Sequence, residues 1–538
     1  MSVQQKGISP SDIPLEDRVL SRVILAQVER HADKPYLSDA RRSWTYAEFF
    51  RESQSLAHGL RSMGVESQAR VVLLMNNRAE FMLAYWALAF LNATIVPVNT
   101  ALQGDALAYM FKDADATLAI VDQSSFAAVQ ALTLAQAPTL NSVVVLDGMP
   151  AEPAEAAGRL HCKPYDELIA AHREAPLLCE PARFDDVHMI SYTSGTTGPS
   201  KGVAASYAQT IHTSLTCIHA VGIGPDDVIY APLPLFHGMS RTMGTIPALL
   251  VGCQAYVAPR FSGSRFWQEV ADVGATVAVT IFTIPPTLKA LPPSPQDRAH
   301  RLRVMFNAHH DLEFEERFGT RIVEAHGMTE VGLTVYSPWP ERREGSSGRP
   351  SPDWDVQLVD EQDRPVPVGE TGEMVLRPRR PSIMMKGYLN KPEQTVAAMR
   401  NLWFHTGDYM RADAEGFLYF AGRKKERIRR RGENISAYDI ESCADQHPDV
   451  VESAAVAYPA GDGEDDVRLV VVPAAGSSLT PQQLSAWLDG KLARFMQPRY
   501  IELADHLPKT GSGKLEKYRI LERALADDCF DTQGASRA

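Results

Sequence analysis

The run Tyr192-Thr193-Ser194-Gly195-Thr196-Thr197-Gly198-Pro199-Ser200-Lys201-Gly202-Val203 concentrates hydroxyls, glycines and one cation in a short stretch. These are the groups a loop needs to fold over a polyphosphate. Glycines such as Gly195 let main-chain N–H groups approach oxygens with no Cβ in the way. Consecutive N–H groups in such a loop form an anion-binding concavity. The hydroxyls of Thr193, Ser194, Thr196 and Thr197 add donors, and Lys201 adds a mobile positive charge. This is not a Walker A motif, which needs G-x-x-x-x-G-K-[ST] opening a helix. Here Pro199 and Ser200 follow Gly198, and Gly202 follows Lys201. Residues 187–192 read as a short buried strand. The loop therefore sits at a strand end, where α/β proteins place their ligands. A plain Ser/Gly surface loop is the alternative, and the apolar strand directly before it argues against that.

Two further clusters carry oxygens suited to the same ligand. In Ala325-His326-Gly327-Met328-Thr329-Glu330, the segment follows strand-like residues 321–324. Gly327, beside His326, lets the backbone pass close to a planar base or acyl group. Thr329 has a hydroxyl for a phosphate oxygen. Glu330 supplies the hard oxygen that Mg²⁺ takes, with phosphate oxygens completing its shell. Alone, Glu330 also reads as a cap or a solvent-facing acid. In Trp403-Phe404-His405-Thr406-Gly407-Asp408, an Asp at a turn accepts hydrogen bonds from a ribose diol, as acidic residues do in other nucleotide sites. An Asx turn is the other reading.

Together these motifs resemble the adenylate-forming superfamily of acyl-CoA synthetases, adenylation domains and luciferases. With their flanks they span residues 44–514. The resemblance implies that Arg423 contacts the ribose or phosphate. It implies a hinge at residues 423–428, with Glu426 where the family has Asp or Lys. Arg429-Arg430-Arg431-Gly432-Glu433-Asn434-Ile435 then matches a loop brought to the site for a second half-reaction, so Arg431 and Gly432 are candidates for binding coenzyme A. Otherwise such a charge run is a solvated face. In Pro508-Lys509-Thr510-Gly511-Ser512-Gly513-Lys514, Lys514 matches the catalytic lysine, a point charge set between a carboxylate and an α-phosphate that repel each other. In Pro232-Leu233-Pro234-Leu235-Phe236-His237-Gly238, His237 either gates an acyl pocket or is a hydrogen-bonded helix-start residue. Arg241 either meets a second substrate carboxylate or faces outward. Where many family members have small glycines, this chain reads Phe306-Asn307-Ala308-His309-His310-Asp311-Leu312, which narrows the pocket if those side chains face inward.

The implied function is an AMP-forming acid–thiol ligase. A carboxylic acid and ATP give an acyl adenylate and pyrophosphate, and a thiol then displaces AMP. ATP, Mg²⁺ and coenzyme A are the implied cofactors and substrates. Residues 431–436 and 296–303 look closest to crotonobetaine/carnitine CoA ligases and related enzymes, which implies a small polar acid. A stand-alone adenylation enzyme that loads a carrier protein is the alternative. A noncatalytic nucleotide-binding regulator has no need of Lys514.

The elements that position these groups follow from alternation. Residues 71–75, 94–98, 117–121, 276–281 and 304–306 are strand-like, and 80–88 is helix-like between two of them. This predicts an α/β protein whose large N-terminal domain consists of helix-covered sheets plus a small β unit beyond residue 338. A smaller mobile α+β domain follows, with a helix over 438–447, a strand over 467–472 and a helix over 481–495. The expected division is 1–422, a hinge at 423–428, 429–526, and a flexible tail at 527–538. At 538 residues the chain exceeds one core. Its net charge of −12 opposes nonspecific binding to nucleic acid or anionic membranes. The start lacks the apolar core of a signal peptide, no stretch reads as a membrane span, and the six cysteines show no C-x-x-C spacing. A cytoplasmic enzyme is expected, with its oligomeric state open, a homodimer included.

Overall fold

Runs of Val, Ile and Leu separated by helices build two large sheets. The computed structural model describes residues 12–149, 160–193, 200–307, 310–337, 341–423, 427–430, 433–460, 465–489, 491–492, 494, 496–509 and 515–534. Ser194, Gly195, Thr196, Thr197, Glu426, Arg431, Gly432 and Lys514 lie outside them. One sheet orders its strands Gly387–Tyr388, Lys201–Ser206, Val187–Thr193, Thr94–Pro97, Arg70–Leu74, Leu118–Val121, Ser142–Val145 and His161–Pro164. The other runs Arg349–Pro350, Gly332–Tyr336, Arg321–Met328, Val304–Asn307, Val277–Val279, Val228–Ala231, Gln254–Val257, Pro35–Ser38 and Ser43–Thr45. Both are parallel through the middle and turn antiparallel at an edge. Strands such as Thr94–Pro97 and Leu118–Val121 are buried at every position, which is how parallel strands covered by helices on both faces read. The expected α/β class is borne out.

Helix Ala79–Phe90 is buried at every residue except Glu80. Its Trp86 packs on Tyr36 and Phe49 with ring centroids 4.8 and 4.9 Å apart. No helix among the described residues is long and apolar enough to cross a membrane.

Contacts divide the chain into two compact units. One holds Met1–Phe282, Pro293–Trp354 and Pro378–Ala397, and the other Thr283–Pro292, Asp355–Arg377 and Ala398–Ala538. The second unit contains nearly all of the sheet of Trp354–Val359, Thr371–Pro378, Phe404–Ala412 and Leu418–Arg423. It also contains the ribbon Arg427–Arg430 with Glu433–Ser436, and the sheet Val450–Pro459, Asp465–Pro473, Tyr500–Leu503 and Phe530–Asp531. The small β unit thus groups with the chain that follows it, with Phe420 edge-on to Tyr438 at 5.2 Å. The helix expected over 481–495 is shorter. It starts with a Thr480/Gln483 capping box and ends at Leu488, because Asp489 leaves helical geometry at φ −64°, ψ 132°.

Two histidines in the first unit are held neutral. His188 Nε2 lies 2.7 Å from Thr210 Oγ1 and its ring stacks on Tyr207. Burial, then the charge of Arg241, pushes its pKa down to about 3. Burial likewise brings His212 down to about 4. The unfolded chain takes up both protons below about pH 6.5, where free imidazole titrates. The stability they support is therefore complete above pH 6.5 and lost as pH falls toward 4. Urea unfolding should weaken by on the order of 1 kcal/mol per pH unit per histidine between pH 6 and 4.5. In His188→Gln that slope should fall by one histidine's share, about 1 kcal/mol per pH unit.

Candidate active site

The strands that flank the phosphate-type loop, Val187–Thr193 and Lys201–Ser206, pair with each other as a β-hairpin. Thr193 pairs with Lys201 and Tyr192 with Gly202 across antiparallel strands, and Thr193 Oγ1 is 3.5 Å from the Lys201 carbonyl. Lys201 Nζ stands over the Tyr388 ring, 4.4 Å from its centroid.

A second hairpin carries the acid. Strand Arg321–Met328 runs through the motif and returns as Gly332–Tyr336, with the register shifting between His326 and Gly327. The close approach expected of Gly327 is made by the chain itself: a Cβ there would lie 2.3 Å from the Gly332 carbonyl oxygen. Gln209 Nε2 donates to the carbonyls of Thr329 and Glu330 at 3.0 and 3.1 Å, and Met385 N–H donates to the Glu330 carbonyl at 2.7 Å. The turn is therefore fixed by its backbone, leaving Thr329 exposed and Glu330 buried. The Glu330 carboxylate accepts a hydrogen bond from Tyr388 Oη at 3.0 Å. Two carboxylate oxygens offer about four lone-pair sites, so capacity for a cation remains. A single carboxylate suits Mg²⁺, which keeps waters and phosphates as its other ligands.

His237 accepts from Met239 N–H at 3.3 Å and caps the short helical turn Gly238–Ser240, the helix-start arrangement. Arg241 does not face outward. It is fully buried and donates to the carbonyls of Leu235 at 2.6 Å and Phe236 at 3.1 Å, bracing the segment before His237. Two of the bulky residues at 306–312 are held by local partners. His310 pairs with Glu315 at 3.1 Å, and Asp311 caps helix Leu312–Phe318 through Phe314 N–H at 2.9 Å.

The second unit brings Asp408 and Arg423 together. They sit opposite each other on adjacent strands, with Arg423 Nε donating to Asp408 Oδ1 at 3.1 Å. Gly407 supplies φ +72° just before the acid, and its N–H donates to Glu373 Oε1 at 3.2 Å. A buried carboxylate with a cation partner is well placed to hold a diol. Asp408→Ala should weaken ATP binding about 10- to 100-fold by calorimetry, the range for losing charged hydrogen bonds. Of the arginines at 429–431, Arg430 is internal: it is 2.9 Å from Asp466 and donates to the Gln497 carbonyl at 2.8 Å. That removes it from the candidates for coenzyme A phosphates.

The sequence profile of the AMP-binding enzyme family matches residues 24–389, and the profile of the AMP-binding enzyme C-terminal domain matches residues 439–514. The chain belongs to the AMP-binding enzyme family. This AMP-binding enzyme is 29% identical over 489 residues to the crotonobetaine/carnitine–CoA ligase of Salmonella choleraesuis, covering 89% of this chain and 93% of that one. Its fold is similar to that of ATP-bound MatB from Rhodopseudomonas palustris, with TM-score 0.82, 26% identity, and 93% and 98% of the two chains covered. It also matches the fold of the anthranilate CoA ligase AuaEII in complex with anthranoyl-AMP, with TM-score 0.86, 24% identity, and 95% and 98% covered. The adenylate-forming resemblance read from the motifs is borne out.

Sequence reasoning missed three residues of this AMP-binding enzyme that shape its candidate site: Gln209, Glu373 and Tyr388. Each acts on a motif residue far away in the chain, and none carries a motif of its own. The nearest signal was Gly387-Tyr388-Leu389-Asn390, a turn-like apolar break after the second hairpin.

Proposed function

We propose that this AMP-binding enzyme is an ATP-dependent acid–thiol ligase that activates a small polar carboxylic acid and passes it to coenzyme A. The observation that carries this reading is the near end-to-end similarity to a relative named for joining an acid to coenzyme A, 89% of one chain against 93% of the other. In the first step a carboxylate oxygen bonds to the α-phosphorus of ATP, and the bond to the β-phosphate breaks, releasing pyrophosphate. The loop from Thr193 to Lys201 cradles the phosphates, Thr329 donates to them, and Asp408 and Arg423 hold the ribose and its phosphate. His326 and Gly327 line the nucleotide. Glu330 would hold Mg²⁺, which neutralises phosphate charge when bound. Lys514 offsets the repulsion between carboxylate and phosphate. In the second step the thiol sulfur bonds to the acyl carbon, its proton goes to solvent, and the bond to AMP breaks.

Residues 423–428 serve as the hinge by which the chain beyond them supplies Lys514 for the first step and Arg431 and Gly432 for the second, since two different nucleophiles use one site. The six free cysteines suit a reducing cytoplasm.

A screen of short carboxylic acids, read as AMP release with and without coenzyme A, tests the proposal. AMP and thioester formed in equal amounts are the expected result. Transfer only to a phosphopantetheinylated carrier protein would instead support the carrier-loading alternative.

A further inference from the structure

We propose that Tyr388 is a positioning residue that couples the nucleotide loop to the metal-binding acid: its hydroxyl orients Glu330 and its ring face receives Lys201. This rests on the nucleotide reading above and goes beyond it. The two hairpins belong to different sheets, and the segment 385–389 joins them. Gly387–Tyr388 pairs antiparallel with Lys201–Ser206, Tyr388 opposite Val203. Leu389 N–H donates to the Gly202 carbonyl at 2.7 Å, and Met385 N–H to the Glu330 carbonyl at 2.7 Å. Tyr388 N–H is held by Thr395 Oγ1 at 2.9 Å. The side chain placed by this stitching makes both contacts at once: Oη to Glu330 Oε1 at 3.0 Å and ring centroid to Lys201 Nζ at 4.4 Å.

Each contact has a separate physical effect. The hydroxyl occupies one lone pair of Glu330 and leaves capacity for a cation on the others, as partners of metal-binding carboxylates do. The ring gives the Lys201 ammonium a weak, non-competing seat. An acid at this place would hold Lys201 against the phosphates it is to meet.

ATP binding to the full-length protein, measured calorimetrically at graded Mg²⁺, tests the coupling. Tyr388→Phe should raise the Mg²⁺ concentration for half-maximal ATP binding by about 10-fold, the usual cost of losing such a partner. ATP affinity at saturating Mg²⁺ should change by less than about threefold. Tyr388→Leu, which also removes the ring, should add a further loss of about 2- to 5-fold in ATP affinity at every Mg²⁺ concentration. In a Glu330→Gln background, Tyr388→Phe should have no further effect on the Mg²⁺ requirement. Two results overturn the proposal: a wild-type Mg²⁺ dependence in Tyr388→Phe, or an equal loss of ATP binding at all Mg²⁺ concentrations, the mark of a merely structural role. The measurement contains no carboxylic acid, so failure to find an acid substrate bears on the ligase reading alone.

Discussion

Replacing Lys514 with alanine is expected to slow adenylate formation by at least about 10²-fold, the cost of removing one preorganised donor from a charged transition state. The carboxylate and the triphosphate are both anions. A lysine ammonium brings a compact positive charge with three donors to the point where they meet. The described ends of the segment that carries it are tied down. Lys509 and Leu515 form an antiparallel bridge. Glu516 N–H donates to the Pro508 carbonyl at 2.8 Å, and Lys509 Nζ lies 2.6 Å from Glu452. Acid-dependent exchange of pyrophosphate into ATP measures the step. ATP affinity should stay within about threefold of wild type if the lysine acts in the transition state. Preformed acyl adenylate should still yield thioester in the variant. Undiminished exchange by a folded Lys514→Ala protein removes this residue from the mechanism.

Gly327→Ala is expected to be nearly as damaging, by a different route. Its Cβ would lie 2.3 Å from the Gly332 carbonyl oxygen and 3.1 Å from Leu333 Cα. Both are backbone atoms and cannot rotate aside, so the hairpin must open. Overpacking of this kind costs about 1–3 kcal/mol. The larger effect falls on the turn that presents Thr329 and Glu330, where a shift of about 1 Å costs around 10²-fold in rate. Urea unfolding and pyrophosphate exchange, run in parallel, separate the two losses. Wild-type values in both would mean that the two strands yield without strain.

The alternation of apolar strands with helices made the sheets legible, because buried parallel strands have no polar face to blur the pattern. It did not reveal that the strands flanking the phosphate-type loop, and those flanking Thr329 and Glu330, pair antiparallel as hairpins. In Lys201–Ser206 the residues Gly-Val-Ala-Ala give little strand signal, and in Arg321–Met328 the strand runs on into His326 and Gly327. Residues with charge or a motif, such as Lys201, Glu330 and Asp408, could be named in advance. Tyr388 could not, because its partner Glu330 is 58 positions away and only sheet pairing brings them together. The arginines at 429–431 show the same limit. A charge run does not say which member faces in, and Arg430 does so because Asp466 waits for it on a later strand.

Helix Ala79–Phe90 has a consequence during synthesis. Part of its cover comes from far downstream, as where Thr245 Oγ1 donates to Met82 Sδ at 3.5 Å across 163 residues. At roughly 5–20 residues per second, a ribosome takes on the order of 10–30 s to make that interval. For that time a nascent chain displays a greasy rod with part of its cover missing, a natural client for chaperones. Fragments that stop before residue 245 never acquire the cover, so premature termination should yield insoluble product rather than a smaller working protein.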